Sequence, residues 1–357
     1  MNKERGRKIT YREAIREALA QSLAMDPSVY IMGLCVDDPK GVLGTTLNLH
    51  REFGRERVFD VPISENAMTG VCTGSALVGM RPVLVHARFD FILYSMDQIV
   101  NHAAKWCYIS GGRLKVPITI CAIIGRGWGQ GAQHSQSLQA FFAHVPGLKV
   151  VMPATPYDAK GLLMACIRDD SPTLCVEHRW LFDQRGAVPE EPYIVPIGEA
   201  TVRRRGRDVT IVATSYMVCE SLRAAEALRK DGIEAEVIDL RSISPLDRDA
   251  IYNSVRKTGR LMVADTGWTT CGVAAEIAAL ASDRCFRDLK APIKRVCMKD
   301  VPLPTSCALE KLAYPSPRDI ALAVKEVVWG KSLDVLVREG HGSGIEDSVE
   351  NQFRGPF

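Results

Sequence analysis

Short apolar runs alternate along this chain with longer segments whose apolar residues recur at helical spacing, and that alternation leaves few architectures open. Tyr11 to Met25 has helical periodicity, while Val29 to Gly33, Val83 to His86 and Pro117 to Ile124 read as strands, the last entering a glycine-rich loop. Lys149 to Met152 and Thr173 to Glu177 continue the series, with a helix from Asp158 to Arg168 between them. Strands separated by helices pair in parallel, so the expectation is an α/β fold built on a largely parallel sheet.

Pro189-Glu-Glu-Pro192 interrupts the pattern and marks a linker near residues 183–196. A second α/β unit follows: strand Val209 to Ala213, helix Met217 to Lys230, strand Glu234 to Leu240, helix Leu246 to Lys257 and strand Leu261 to Ala264. Asp231-Gly232 is a helix stop. The division expected is one domain over residues 8–185, a second over 196–328, and a glycine-rich polar tail over 329–357 that is expected to be mobile.

Composition excludes several classes. A chain of 357 residues is long enough for two cores. A net charge of +3, from 45 basic and 42 acidic residues, gives no polyanion signal, so nucleic acid is not expected as a partner. The cluster Arg203-Arg-Arg-Gly-Arg207 reads as a solvated hairpin. Eleven cysteines without a Cys-x-x-Cys pair read as buried free thiols in a reducing compartment. The basic start lacks the apolar stretch of a secretory signal, and no apolar run approaches the ~18 residues of a membrane span. A cytoplasmic protein without membrane contact is the expectation.

One corner carries the first hint of chemistry. Val58-Phe-Asp-Val61 reads as a strand halted by Pro62, Ser64 is placed to cap a helix, and Glu65 opens that helix. In open α/β sheets ligands bind where strands end and helices begin. The bland reading is a carboxylate that settles the helix dipole.

Two further stretches change the balance: Arg88-Phe-Asp-Phe91 with the residues up to Lys105, and Gly125-Arg-Gly-Trp-Gly-Gln-Gly131 leading into Gln133-His-Ser-Gln136. Together with Pro62-Ile-Ser-Glu65, and in this order and spacing, they resemble the β subunit of the thiamine-diphosphate-dependent 2-oxo acid dehydrogenases, the pyruvate, branched-chain and acetoin enzymes. The likeness runs from about Thr10 to about Val328. It implies a thiamine-binding-fold pyrimidine domain followed by a transketolase C-terminal-like α/β domain.

The resemblance also implies roles. Glu65 matches the carboxylate that bonds the aminopyrimidine ring of thiamine diphosphate and favours its imino form. Phe91 matches the aromatic on the pyrimidine face, with Phe89, one alternation step away, as the competing choice. His134 matches the active-site histidine, which moves protons and aids acyl delivery. Ile118, Cys166, Ile167 and Asp169 match a place where relatives hold a monovalent cation, K+ among them, mainly through backbone oxygens. The chain has no Gly-Asp-Gly, the motif through which thiamine enzymes hold Mg2+ and the diphosphate. The implied partner is therefore an α subunit carrying that motif, in an α2β2 assembly. The second domain would then serve β–β association and docking of a lipoyl acyltransferase core.

The sequence departs from the family in two places. Relatives carry a Gly-Glu-Asp-Val-like segment after the first strand, whereas this chain has Gly33-Leu-Cys-Val36, and Leu34 cannot relay a proton. Trp128 adds a bulky wall to the glycine-rich loop. The function implied is decarboxylation of a 2-oxo acid and acyl transfer to a lipoyl group. The alternative is a split, transketolase-like carboligase or transferase, and a third reading is a silent subunit that kept the fold alone.

Overall fold

The protein is described by a computed structural model covering residues 7–125, 130–342 and 344–345. Trp128 lies outside the described residues. The chain divides into two compact units, residues 7–125 with 133–197 and residues 130–132 with 198–345.

In the first unit the strands run, in order, Lys149–Val151, Thr173–His178, Thr119–Ile124, Arg81–His86, Val29–Gly33 and Val58–Asp60, every pairing parallel. Val29–Gly33, Thr119–Ile124 and Thr173–His178 are buried along their whole length. That is why they appear in the sequence as unbroken apolar runs rather than alternating ones. The helix Tyr11–Met25 starts at a capping box made by Thr10 and Glu13 and buries Tyr11, Ala14, Ile15, Ala18, Leu19 and Leu23. It packs on the helix Pro156–Arg168, which begins with Thr155 as cap and Pro156 in its first turn.

The order of strands positions the site. From Val29–Gly33 the chain steps outward to Val58–Asp60, then returns to the other flank of Val29–Gly33 with Arg81–His86. The topological switch point therefore lies between Val29–Gly33 and Arg81–His86, and its crevice is at their carboxyl ends. Glycine is required at position 33, because a Cβ there would stand 2.2 Å from the carbonyl oxygen of Val85.

Residues of the segment expected as a linker are bonded to this unit. Arg185–Ala187 pairs antiparallel with Lys8–Thr10. The carbonyls of Pro189, Glu190 and Glu191 accept from the buried Lys160 Nζ at 2.8, 2.9 and 3.0 Å. A lone lysine inside an apolar helical pattern gives no sign of such a role.

In the second unit Lys294–Met298, Leu261–Trp268, Val209–Ala213 and Ala235–Asp239 form a parallel sheet, with Thr201–Arg204 added antiparallel beside Ala235–Asp239. The arginine cluster is accordingly not a solvated hairpin throughout. Arg203 donates to the fully buried carboxylate of Asp239 at 2.8 and 3.1 Å, and Arg204 pairs with Glu234 at 2.9 Å. Among the described residues of the tail, Leu333–Arg338 is a helix with Leu336 fully buried, and His341 lies against Trp329 with ring centroids 5.0 Å apart. Ten cysteines are described with no disulfide among them; five are buried, whereas Cys35, Cys107 and Cys271 are exposed. No helix among the described residues is long and apolar enough to cross a membrane.

Candidate functional site

Glu65 is the first residue of the helix Glu65–Leu77, which follows the strand Val58–Asp60 after a short extended link. Ser64 occupies the cap position with φ −160°, but its side chain makes no capping bond. The carboxylate at the first helical position is thus the acidic group at this helix start, and it is half-buried. Behind it, the buried Thr69 Oγ1 donates to the Glu65 carbonyl oxygen at 2.8 Å and stands 2.9 Å from Ser95 Oγ. The helix bearing Glu65 is thereby tied to the segment bearing Phe91.

That segment, Phe89–Ser95, is a 3-10 helix that follows the strand Arg81–His86. Strand alternation would have put Phe89 and Phe91 on one side, whereas a turn of about three residues separates them by roughly 240°. Phe89 goes into the core, fully buried and edge-on to Phe142 with centroids 5.4 Å apart. Phe91 stays half-buried and meets His134 edge-to-face at 5.3 Å and 85°. Geometry therefore separates the two phenylalanines and leaves Phe91 with an available ring face.

His134 lies on the loop before the short helix Gln139–Ala143 and is half-buried. The loop is anchored two residues later, where Gln136 donates from its backbone N and from Nε2 to Asp90 Oδ1 at 3.2 and 2.9 Å. At the loop's start Arg88 Nη1 donates to the Gly125 carbonyl oxygen at 3.0 Å. Gly125, at φ +85°, is pressed on His178, and a Cβ there would fall 2.7 Å from the imidazole.

Electrostatics single out one histidine at these strand ends. Burial pushes His86 down to about 4 and His178 down to about 3, so both are neutral at neutral pH. His178 Nδ1 accepts from the Trp180 backbone N at 3.2 Å, which leaves its proton on Nε2. Both are shut in the interior, and His134 is the imidazole with access to a ligand. Burial also raises Asp90 against the opposing Gln136 bonds, and raises Glu177, on the strand Thr173–His178, to about 8.

Leu34 is half-buried directly after Val29–Gly33 and itself carries no acid. Asp60, paired in register with Gly33 on the neighbouring strand, accepts from the Val36 backbone N at 2.9 Å through Oδ1, and burial, with Asp37 and Asp38 close by, raises its pKa. Sequence reading passes over Asp60, Asp90, Arg88 and Thr69. Each is a polar residue that becomes informative only once its partner on another element is known.

Ile118, Cys166, Ile167 and Asp169 do come together, at the amino-terminal end of the strand Thr119–Ile124. Ile118 precedes the strand Thr119–Ile124, whose length puts it roughly 20 Å from the carboxyl ends. The Ile118 oxygen accepts from Thr173 N at 2.9 Å and the Cys166 oxygen from Asp169 N at 3.1 Å. Arg81 Nη1 donates to the Ile167 and Asp169 oxygens at 3.1 and 3.0 Å, and Lys149 pairs with the Asp169 carboxylate. Every one of these carbonyls already has a donor, and positive charge is already present. Among the described residues no group of three or more His, Cys, Asp or Glu side chains stands where it could hold a metal ion.

A half-buried carboxylate, an aromatic face and an imidazole on adjoining arms of a switch-point crevice suit one half of a cofactor pocket. Comparison with known proteins agrees. Residues 7–184 match the transketolase pyrimidine binding domain and residues 198–320 the transketolase C-terminal domain. The chain is 44% identical over 334 residues to the acetoin:2,6-dichlorophenolindophenol oxidoreductase subunit beta of Cupriavidus necator, covering 91% of this chain and 98% of that one. It is 44% identical over 321 residues to the pyruvate dehydrogenase E1 component subunit beta of Rickettsia felis, covering 90% and 98%. A solved structure of a split gene transketolase, an inactive beta4 tetramer, superposes with a TM-score of 0.73 at 26% identity, over 91% of this chain and 99% of that one. With both domains matched in order and near-full-length relatives at this identity, the chain belongs to the family of β subunits of the thiamine-diphosphate-dependent 2-oxo acid dehydrogenases.

Proposed function

We propose that this chain supplies the pyrimidine half of a thiamine diphosphate site and, with a separate α subunit, decarboxylates a 2-oxo acid and passes the acyl group to a lipoyl acceptor. The observation that carries the reading is the pairing of Phe91 with His134 at 5.3 Å on a segment bonded to the helix of Glu65. When bound, thiamine diphosphate would supply the nucleophilic carbon and the electron sink that decarboxylation of a 2-oxo acid needs. Glu65 holds a proton against the aminopyrimidine nitrogen, and Phe91 presents the ring face that orients the pyrimidine. His134 moves a proton at the substrate's carbonyl oxygen. Catalysis is assigned to Glu65 and His134, and cofactor binding to Glu65 and Phe91.

The partner is an α subunit that brings Mg2+, its Gly-Asp-Gly ligands and the diphosphate half, in an α2β2 assembly. Supporting it, apolar side chains stand open along and at the ends of the helix Glu65–Leu77: Val71 within it is 53% exposed, Ile63 before it 81% and Val78 after it 82%, and nothing lies within 4 Å of where a Cβ of Gly74 would be. Closure of that surface by a second chain would also dry the surroundings of Glu65. An acyltransferase core completes the assembly, in the cytoplasm, a location consistent with ten described thiols and no disulfide among them.

A monovalent cation at Ile118, Cys166, Ile167 and Asp169 would use the second lone pairs of carbonyls that Arg81 and the backbone already engage. Its effect is structural, at the amino-terminal end of the strand Thr119–Ile124, away from the site. A melting temperature higher in K+ than in an equal concentration of tetramethylammonium is the expected sign, and identical melting in the two salts would remove the site.

A second reading, a split transketolase-like transferase that hands the carbon unit to an aldehyde, is favoured by Leu34 and by the likeness to the split gene transketolase. Product analysis of the α–β mixture separates the two. Acyl-lipoyl product from a 2-oxo acid is expected under the first, whereas a new carbon–carbon bond formed only with an aldehyde acceptor would establish the second.

A further inference from the structure

We infer that Arg88 and Asp90 are positioning residues that hold Gly125 and Gln136, the bonded residues before and after His134, so that the Phe91 ring and the imidazole are held as one unit. This rests on the reading of His134 as the group that moves a proton. The geometry is compact. Within one four-residue stretch, Arg88 holds the Gly125 oxygen at 3.0 Å, Asp90 accepts two bonds from Gln136 at 2.9 and 3.2 Å, and Phe91 touches the His134 ring at 5.3 Å.

Gly125 and Gly131, both at positive φ, carry the conformational freedom of glycine, and no regular secondary structure restrains the described residues between Gly131 and Leu138. His134 lies two positions from one anchor. Arg88 and Asp90 are themselves buried, so the bonds they make are shielded from competing water. Asp90 faces Arg88 along its own segment and Gln136 across from it, and both hold its carboxylate against the cost of burial. Release of Gln136 would let the imidazole two residues away drift from the ring face that places the cofactor. The device thus couples the seating of the cofactor on Phe91 to the placement of His134.

The alternative is that these bonds support only the fold, and a double-mutant cycle in the assembled α–β enzyme distinguishes the two. Arg88→Met and Asp90→Leu should each lower kcat by about 10- to 100-fold through misplacement of His134, with little change in the cofactor concentration needed for half-saturation. In a His134→Gln background either change should cost no more than about twofold further, because the residue they act through is already gone. Arg88→Lys and Asp90→Asn, which keep a donor for Gly125 and an acceptor for Gln136, should recover most of the loss. Should Asp90→Leu fail to fold, Gln136→Leu removes one of the same bonds from a half-buried position and should follow the same pattern. Losses that are equally large in the His134→Gln background, or unaltered kcat in the single variants, would overturn the positioning role. Full activity of His134→Gln itself would instead remove the role of His134, and the inference with it.

Discussion

Glu65→Gln in the assembled α–β enzyme is expected to lose roughly 10²- to 10⁴-fold in turnover, the range that a positioned proton-transfer group contributes. The change is nearly isosteric and leaves the Glu65 carbonyl free to accept from Thr69, so the helix start should survive. If Glu65 only settled the helix dipole, the substitution would cost about 0.3–1 kcal/mol of stability and leave turnover intact. Ser64 makes no side-chain capping bond here, so a dipole contribution from Glu65 is real, but it is too small to account for a loss of that size. Steady-state rates and melting curves on the same preparation decide between the two. Unchanged turnover would also favour a silent subunit that kept the fold alone.

Lys160→Met should destabilise the first unit by about 3–5 kcal/mol, because removing one partner of a buried pair leaves the other uncompensated. Lys160 is fully buried, and its three N–H groups are shared among Glu17 at 2.6 Å and the carbonyls of Pro189, Glu190 and Glu191. Methionine fills the volume but donates to none of the four. The effect is pH-dependent with a definite sign. Burial works to raise the Glu17 carboxyl, but bonds from Arg7 and Lys160 outweigh it and hold the group below the usual glutamate value. A depressed carboxylate stabilises the fold above its unfolded pKa and loses that contribution as pH falls through its folded value. Denaturant unfolding of wild type and variant should therefore differ most near neutrality and converge in acid. A constant difference from pH 7 to pH 3 would mean that the carboxylate is not part of the network.

Much of this architecture is legible in the sequence for one reason. Strands buried on both faces must be continuous apolar runs, and Val29–Gly33 and Val209–Ala213 begin and end where those runs do. Capped helices such as Tyr11–Met25 are legible through their periodicity. The rest depends on tertiary partners. Phe89 and Phe91 cannot be separated by alternation when the segment is a 3-10 turn, and the linker reads as loose until Lys160 is seen to bind its carbonyls. The tail reads as polar although Leu336 is buried. At the site, Glu65, Phe91 and His134 stand out through the spacing of three motifs. Arg88, Asp90 and Gln136 lie inside those same motifs, yet the bonds between them appear only where the segments after two neighbouring strands meet.

The central claim is that this chain holds half of a thiamine diphosphate site. Calorimetric titration of thiamine diphosphate with Mg2+ into the chain alone, and then into the chain assembled with its α partner, tests it most directly. Metal-dependent binding in the assembly, and none of comparable strength to the lone chain, is the predicted result; equally tight binding by the lone chain would contradict it.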